Sequence, residues 1–515
     1  MISNDLKMIL EKQQNEIINA DERKIVVSAG PGSGKTFTLV KRLEKKFNET
    51  ENYKAIITSF TKEASNQLRD RTCNIDGINE SYIGTLDSFI MKEIILPYKN
   101  RYLKECNLPL IKKTVNYTFP QRKSSVEILT KNGISKSSRK EILDEFHNWL
   151  INFGNGVYEI SSMAYIVAID VLKKCLSSKL YIKSKYNCIY VDEAQDLNEF
   201  QHKFIKYFIE ACDLECMLIG DKNQSIYEFR GARPEQFYSL RKDEGYKVYE
   251  ITVSVRCHPS ILMFSNLILD ANAKLIEIKK NKVFLNVPPN ETNVMKVDGN
   301  FFVLFERQND ALSCYNYLSS KNVNVIYTKR LELSDTEFSN NYLDIIEELI
   351  KFKLNINNEN PKLVYSIKNL EDYLENNYIL KRSTKNKLRN LDNDLIFYIK
   401  MILKELNISI TIDTERELKQ QFSNPMYLNH YINHEKINRI MTIHSSKGLE
   451  ADNVFIRFTD IPFYYNEEYK RKLYVAFTRA KNSLYISYKT TNIAESIIGK
   501  TLLSNFLKIN NIVKK

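Results

Sequence analysis

Residues 29–36 read Ala-Gly-Pro-Gly-Ser-Gly-Lys-Thr, one residue after an apolar run, Ile25-Val26-Val27, and directly before a helical pattern, Phe37 to Phe47. Strand, glycine-rich loop and helix in succession form the unit that cradles phosphate, so this segment commits the N-terminal part of the chain to a parallel α/β architecture. The glycines let the backbone curl so that successive N–H groups point at one anion, and the helix N-terminus adds the positive end of its dipole. Lys35 can reach the β- and γ-phosphates, and the Thr36 hydroxyl can bind Mg²⁺. Ala29, Gly30, Pro31, Gly32, Ser33, Gly34, Lys35 and Thr36 are therefore the expected contacts of a nucleoside triphosphate.

A second apolar run, Cys188-Ile189-Tyr190-Val191, ends in Asp192-Glu193. A carboxylate pair at the end of a strand supplies what the phosphate loop lacks. Asp192 can hold the metal, and Glu193 can orient and deprotonate an attacking water. Gly220 to Gly231 follows a third run, Met217-Leu218-Ile219. In it Gln224 could sense the γ-phosphate, and Tyr227 and Phe229 alternate with polar residues as a stacking platform would. The plainer reading of that segment is a surface loop with ordinary aromatic packing. Ile56 to Lys62 is a strand running into a loop that presents Phe60 and Thr61. Phe60 could stack on a base, although on pattern alone a core position is the better reading.

The chain has 515 residues and a formal net charge of +12. The length suggests about three or four domains. The charge fits a polyanionic partner, and a lysine-rich surface would produce it equally well. The eight cysteines are scattered, without zinc or iron–sulfur spacing, and read as core residues of a reducing compartment. No signal region or apolar run of membrane length is present, so a cytoplasmic location is expected.

Strand-like and helix-like patterns alternate over 1–90 and again over 181–260, as parts of one parallel sheet with crossover helices. Residues 91–180 read as a helical insertion between them. The α/β pattern restarts over 261–335 and 436–515, with strand candidates at Phe301–Phe305, Val323–Tyr327, Ile440–Ile443, Asn453–Phe458 and Leu484–Ser487. Residues 336–435 read as a second, reduced helical insertion.

These segments, in this order, resemble the UvrD/PcrA/Rep group of superfamily 1 DNA helicases. The resemblance implies two RecA-like P-loop NTPase domains, each with a helical insertion, closing on ATP and Mg²⁺ and moving 3′ to 5′ on DNA. It carries the adenine-recognising glutamine onto Gln14 and DNA contacts onto Phe60, Thr61, Thr85, Tyr227, Phe229 and His444. It carries two arginine fingers onto Arg256 and Arg479, which nothing else in the sequence singles out, and a ribose contact onto Glu450. Three positions depart from the pattern. Val255 replaces the tyrosine that usually stacks on adenine, so other nucleoside and deoxynucleoside triphosphates become admissible. Phe229 replaces a tryptophan. Asp87 replaces a histidine, and an acid beside a DNA track repels phosphate unless it is paired. Within the superfamily the short insertions, the Gly84–Phe89 segment and the helix at 168–174 resemble the helicase-like B subunits of the bacterial Gabija anti-phage systems. That resemblance implies a partner, a Gabija protein A-like nuclease with ATPase and Toprim domains. The stretch after Ala480 is too short for a fused nuclease domain, so any cleavage is expected from such a partner. A stand-alone repair or mobile-element helicase is the alternative.

Overall fold

A computed structural model of the chain describes residues 4–107, 163–228, 231–243, 245–327, 395–405, 409–423, 437–458, 466–488 and 497–511, with a few isolated positions besides. Two six-stranded sheets organise it. The first contains β1 (Lys24–Ala29), β2 (Ala55–Ser59), β3 (Tyr82–Thr85), β4 (Cys188–Val191), β5 (Glu215–Gly220) and β6 (Lys247–Ile251). Its spatial order is β3-β2-β4-β5-β1-β6, and every pairing is parallel. The second contains β7 (Val283–Leu285), β8 (Phe301–Phe305), β9 (Ile326–Tyr327), β10 (Arg439–Thr442), β11 (Ala451–Phe458) and β12 (Ala480–Tyr488). Its order is β9-β10-β8-β11-β12-β7, again all parallel. The molecule is thus two RecA-like α/β domains.

Alternation along the strands builds two cores per sheet, because successive side chains point to opposite faces. Ile25 and Val27 of β1 join Leu39 and Leu43 of α2 (Lys35–Glu49), Leu68 of α3 (Lys62–Thr72) and Leu10 and Ile17 of α1 (Asn4–Ile18) on one face. Val26 faces the other way, into a core with Ile56, Ile189 and Leu218. Both faces of a parallel sheet must be covered, and helices cover both here.

The helices at the ends of the 91–180 segment take part in that covering. Tyr102 and Leu103 of α4 (Leu96–Glu105), Val171 and Leu172 of α5 (Met163–Lys174) and Ile182 of α6 (Leu176–Lys185) are buried in the core that holds Val26, together with Phe204 and Phe208 of α7 (Glu199–Cys212). Among the described residues, then, the flanks of this segment are part of the first domain and not a separate body. Helical periodicity announces an apolar face without saying what covers it.

In the second domain, α8 (Pro259–Leu269) buries Ile261 and Phe264 against Leu304, Ile456 and Ile486. This helix spans the expected boundary at 260, and Cys257 already belongs to the second core. The opposite face carries Ala311, Cys314 and Leu318 of α9 (Gln308–Ser320). The strand expected over Val323–Tyr327 is shorter: only Ile326–Tyr327 pair, with β10. Val323 and Val325 are buried without joining the ladder, which is why an alternating apolar pattern overstated the strand. Of the second insertion, α10 (Leu395–Glu405) and α11 (Ile412–Phe422) are described. All eight cysteines are free thiols, and six of them are buried.

Candidate nucleotide and nucleic-acid site

The carboxyl ends of β1, β4 and β5 lie side by side, so the loops after them share one edge of the first sheet. The loop after β1 is shaped by two glycines in the left-handed region, Gly32 at φ 67° and Gly34 at φ 76°. A Cβ on Gly32 would lie 2.1 Å from the Arg256 Cβ, so backbone of this loop runs directly against the 254–256 segment. The Val255 N–H donates to the Gly32 carbonyl at 3.0 Å. The Ser33 hydroxyl donates to the Gly30 carbonyl at 2.7 Å, and the Gln14 amide donates to the Ser33 carbonyl at 2.9 Å. Pro31 is buried, and the Lys35 ammonium folds onto the Ala29 carbonyl at 3.3 Å.

Thr36 and Asp192 meet across the sheet edge, hydroxyl to carboxylate, at 3.4 Å. A hydroxyl and a carboxylate oxygen are hard donors, and together with phosphate oxygens they suit Mg²⁺. Burial raises the Asp192 carboxyl above its ordinary range, and the neighbouring Glu193 charge adds to the rise. A cation at this position would relieve both. Glu193 adopts a left-handed backbone conformation at φ 53°, which is uncommon for a residue with a side chain. Burial alone would raise Glu193 too, but the Lys35 and Lys447 ammonium groups and the Gln195 amide outweigh it and hold Glu193 below its ordinary range. It stands as a charged acceptor. Gln195 joins the two carboxyl-end loops: its amide donates to Glu193, and its carbonyl accepts the Asp221 N–H at 3.0 Å.

The second domain reaches this edge through a row of cations. Arg479 is almost fully buried. It donates to the Val475 carbonyl at 3.0 Å, the Leu449 carbonyl at 3.1 Å and the Gln224 side chain at 3.4 Å. Gln224 in turn donates to Asp221 at 2.8 Å. Burial, and then the nearby Arg256 charge, lower the Arg479 guanidinium to about 10, and it remains charged at neutral pH. Arg256 pairs with Glu450 at 2.6 Å, and Glu450 also binds Lys481 at 2.8 Å. The two residues expected on phosphate and ribose thus hold each other in this structure. Lys447 forms an ion pair with Asp196 whose partners are 11% and 1% exposed.

The residues expected to meet nucleic acid divide into those with open surface and those tied into structure. Phe60 is half-buried and stacks on Tyr227, with ring centroids 5.2 Å apart. The Lys447 ammonium lies 4.7 Å from the centre of the Tyr227 ring, a cation–π distance. The Thr61 and Thr85 hydroxyls accept from the N–H groups of Ala64 and Ser88 as helix caps. His444 opens a short helical turn after β10. Phe229 lies outside the described residues. Asp87 is paired: the Tyr165 hydroxyl donates to it, and Gln201 donates to the same hydroxyl at 3.0 Å. The acid beside the expected track is therefore held inside a hydrogen-bonded chain.

Comparisons with known proteins bear on this arrangement. A family model described as an AAA domain matches residues 13–230, and a model described as the UvrD-like helicase C-terminal domain matches residues 438–487. Gabija protein GajB of Bacillus cereus (strain VD045) is 29% identical, over 97% of this chain and 99% of that protein. The chain is thus similar to UvrD-like helicases in both of its matched regions and, along nearly its whole length, to GajB. The ATP-dependent DNA helicase Rep of Buchnera aphidicola (subsp. Acyrthosiphon pisum, strain APS) is 23% identical over 93% of this chain and 95% of its own length. The putative ATP-dependent DNA helicase YjcD of Bacillus subtilis (strain 168) is 23% identical over 93% of this chain and 78% of its own.

Two further residues join the site without having been expected there. Lys447 lies between His444 and Glu450, both expected contacts, yet only its contacts with Asp196 and Tyr227 give it a place. Arg471 lies on α12 (Glu467–Phe477), donates to the Ser225 carbonyl at 3.2 Å and pairs with Glu228. Arg471 stands on the helix that ends at Phe477 and Arg479 lies just beyond that end, and both reach the Gly220–Gly231 segment.

Proposed function

We propose that this chain is an ATP-dependent DNA helicase that translocates 3′ to 5′ and works with a nuclease partner in anti-phage defence. The observation that carries the reading is the reach of Arg479 from the second domain to Gln224, beside the carboxyl edge that holds Lys35, Thr36 and Asp192. A triphosphate in the 29–36 loop would then lie between two domains that can close on it.

In this mechanism the loop N–H groups hold the phosphates and Lys35 exchanges the Ala29 carbonyl for the β- and γ-phosphates. Thr36 and Asp192 would hold Mg²⁺, which would neutralise negative charge on the phosphates. Glu193 accepts a hydrogen bond from the attacking water and orients it in line. Arg479 and Arg256 neutralise charge on the transferred phosphoryl group, which requires Arg256 to loosen its pairing with Glu450. Gln224, touching both Asp221 and Arg479, reports the phosphate state to the loop that carries Tyr227. Phe60, Tyr227, Phe229, Thr61, Thr85 and His444 form the DNA track, and repeated closure and opening moves the strand along it.

Defence and the nuclease partner are supported by likeness to Gabija protein GajB across nearly the full length of both chains. The test uses purified full-length protein and duplexes carrying either a 3′ or a 5′ single-stranded tail. ATP should drive separation of the 3′-tailed duplex only. Lys35→Ala should reduce hydrolysis by on the order of 10²-fold or more, with an unchanged melting temperature. ATP hydrolysis with no strand separation on either tail would overturn the helicase reading. Failure to copurify with the neighbouring-gene nuclease would overturn the partnership alone.

A further inference from the structure

Lys481 stands at the start of β12, and the mechanism above gives it no task. Its ammonium lies 2.8 Å from one oxygen of Glu450, while the Arg256 Nε lies 2.6 Å from the other. One half-buried carboxylate thus stands between two cations. Burial would raise it, but Lys481 and Arg256 outweigh burial and hold it below its ordinary range. The two contacts differ in kind of anchorage. The Arg256 Nε is buried and makes no hydrogen bond, so its hold on Glu450 is one of charge alone. The stem of Arg256 already lies at the phosphate loop, since a Cβ on Gly32 would meet the Arg256 Cβ. Its guanidinium can therefore turn to a phosphate without moving the backbone. Lys481 is fixed beside Glu450 by its own main chain. Its carbonyl accepts the His258 N–H at 2.7 Å, and the Ala451 N–H, next to Glu450, donates to the Arg479 carbonyl at 3.1 Å.

We propose that Lys481 is a positioning residue that keeps Glu450 paired when Arg256 turns to the transferred phosphoryl group, and so sets how readily that arginine is released. The inference rests on the reading of Arg256 as a group that neutralises phosphoryl charge. A partly buried carboxylate that loses its last partner is destabilised, because its remaining contacts with water do not replace the lost charge. With Lys481 in place, Glu450 keeps a cation at 2.8 Å after Arg256 has gone. Without it, each release of Arg256 would strand the carboxylate. Release lies between bound nucleotide and the transition state, so Lys481 acts on kcat. Binding of the triphosphate by the 29–36 loop does not require it, and KM stays nearly constant.

The test is steady-state ATP hydrolysis by the full-length protein at saturating single-stranded DNA. Lys481→Met keeps the apolar stem and removes the charge. It should lower kcat by about 10-fold with KM within about twofold and an unchanged melting temperature. Lys481→Arg should restore turnover. Glu450→Gln leaves no charge to strand, so adding it to Lys481→Met should bring kcat to within about twofold of Glu450→Gln alone. A lysine that only supported the local structure would not be rescued in this way. Wild-type kcat in Lys481→Met, or a double variant that stays about 10-fold below Glu450→Gln, would overturn the inference. Arg256→Ala separates that failure from failure of the underlying reading. It should lose on the order of 10³-fold in kcat. Wild-type turnover in Arg256→Ala would overturn the reading of Arg256 and this inference together.

Discussion

Gly32 carries two constraints that no other side chain can meet. Its φ of 67° is strained for any residue with a Cβ, and a Cβ there would overlap the Arg256 Cβ at 2.1 Å. Gly32→Ala should therefore displace either the phosphate loop or the 254–256 segment. The expected result is at least a 10-fold loss of nucleotide affinity, read by titration of a fluorescent ATP analogue. Gly30→Ala serves as the control, since a Cβ there meets nothing within 4 Å and its φ is not in the left-handed region. Equal behaviour of the two variants would sink the close-approach argument. The same scale shows why individual residues differ in legibility. The roles proposed for Lys35, Thr36 and Asp192 follow from a local strand–loop–helix pattern that the sequence displays. Those proposed for Arg256 and Arg479 do not, because they depend on a second domain whose approach no local pattern encodes.

At the scale of elements, the Gly220–Gly231 segment is the joint. Arg479 touches its Gln224, Lys447 lies over its Tyr227, and Arg471 holds its Ser225 carbonyl and Glu228. Three cations of one domain thus grip one loop of the other. Burial raises Glu228 from its ordinary value, and the Arg471 guanidinium opposes that rise. Glu228→Gln keeps the shape and removes the charge. We expect it to leave DNA-independent hydrolysis unchanged and to reduce DNA stimulation several-fold, because the loop would no longer follow α12. Arg471→Gln should do the same, and the double variant should be no worse than either single one, as a coupled pair requires. Additive losses in the double variant would show that the two residues act separately. The strands that position this joint were legible as apolar runs ending in polar loops, and β4 spans the same four residues that its run suggested. The flanks of the 91–180 segment were not. Tyr102, Leu172 and Ile182 show apolar helical faces whether they cover a sheet or each other, and only the tertiary structure says which.

For the whole molecule, charge enters twice, with different exposure to solvent. The chain carries a formal net charge of +12, and phosphate contacts release counterions as they form. The Lys447–Asp196 pair between the domains is shielded, with partners 11% and 1% exposed, and buried pairs are screened far less than exposed ones. Raising salt should therefore separate the two steps. Between 50 and 200 mM salt, single-strand affinity measured by anisotropy should fall by about 300-fold or more if six or more phosphates are neutralised. Hydrolysis at a DNA concentration kept saturating at each salt should change by less than about twofold, because closure depends on pairs that salt barely reaches. If kcat falls in parallel with DNA affinity, the interdomain cations are working through solvent-exposed contacts. The row Lys447, Arg471 and Arg479 would then belong to the DNA track and not to the closure of the two domains.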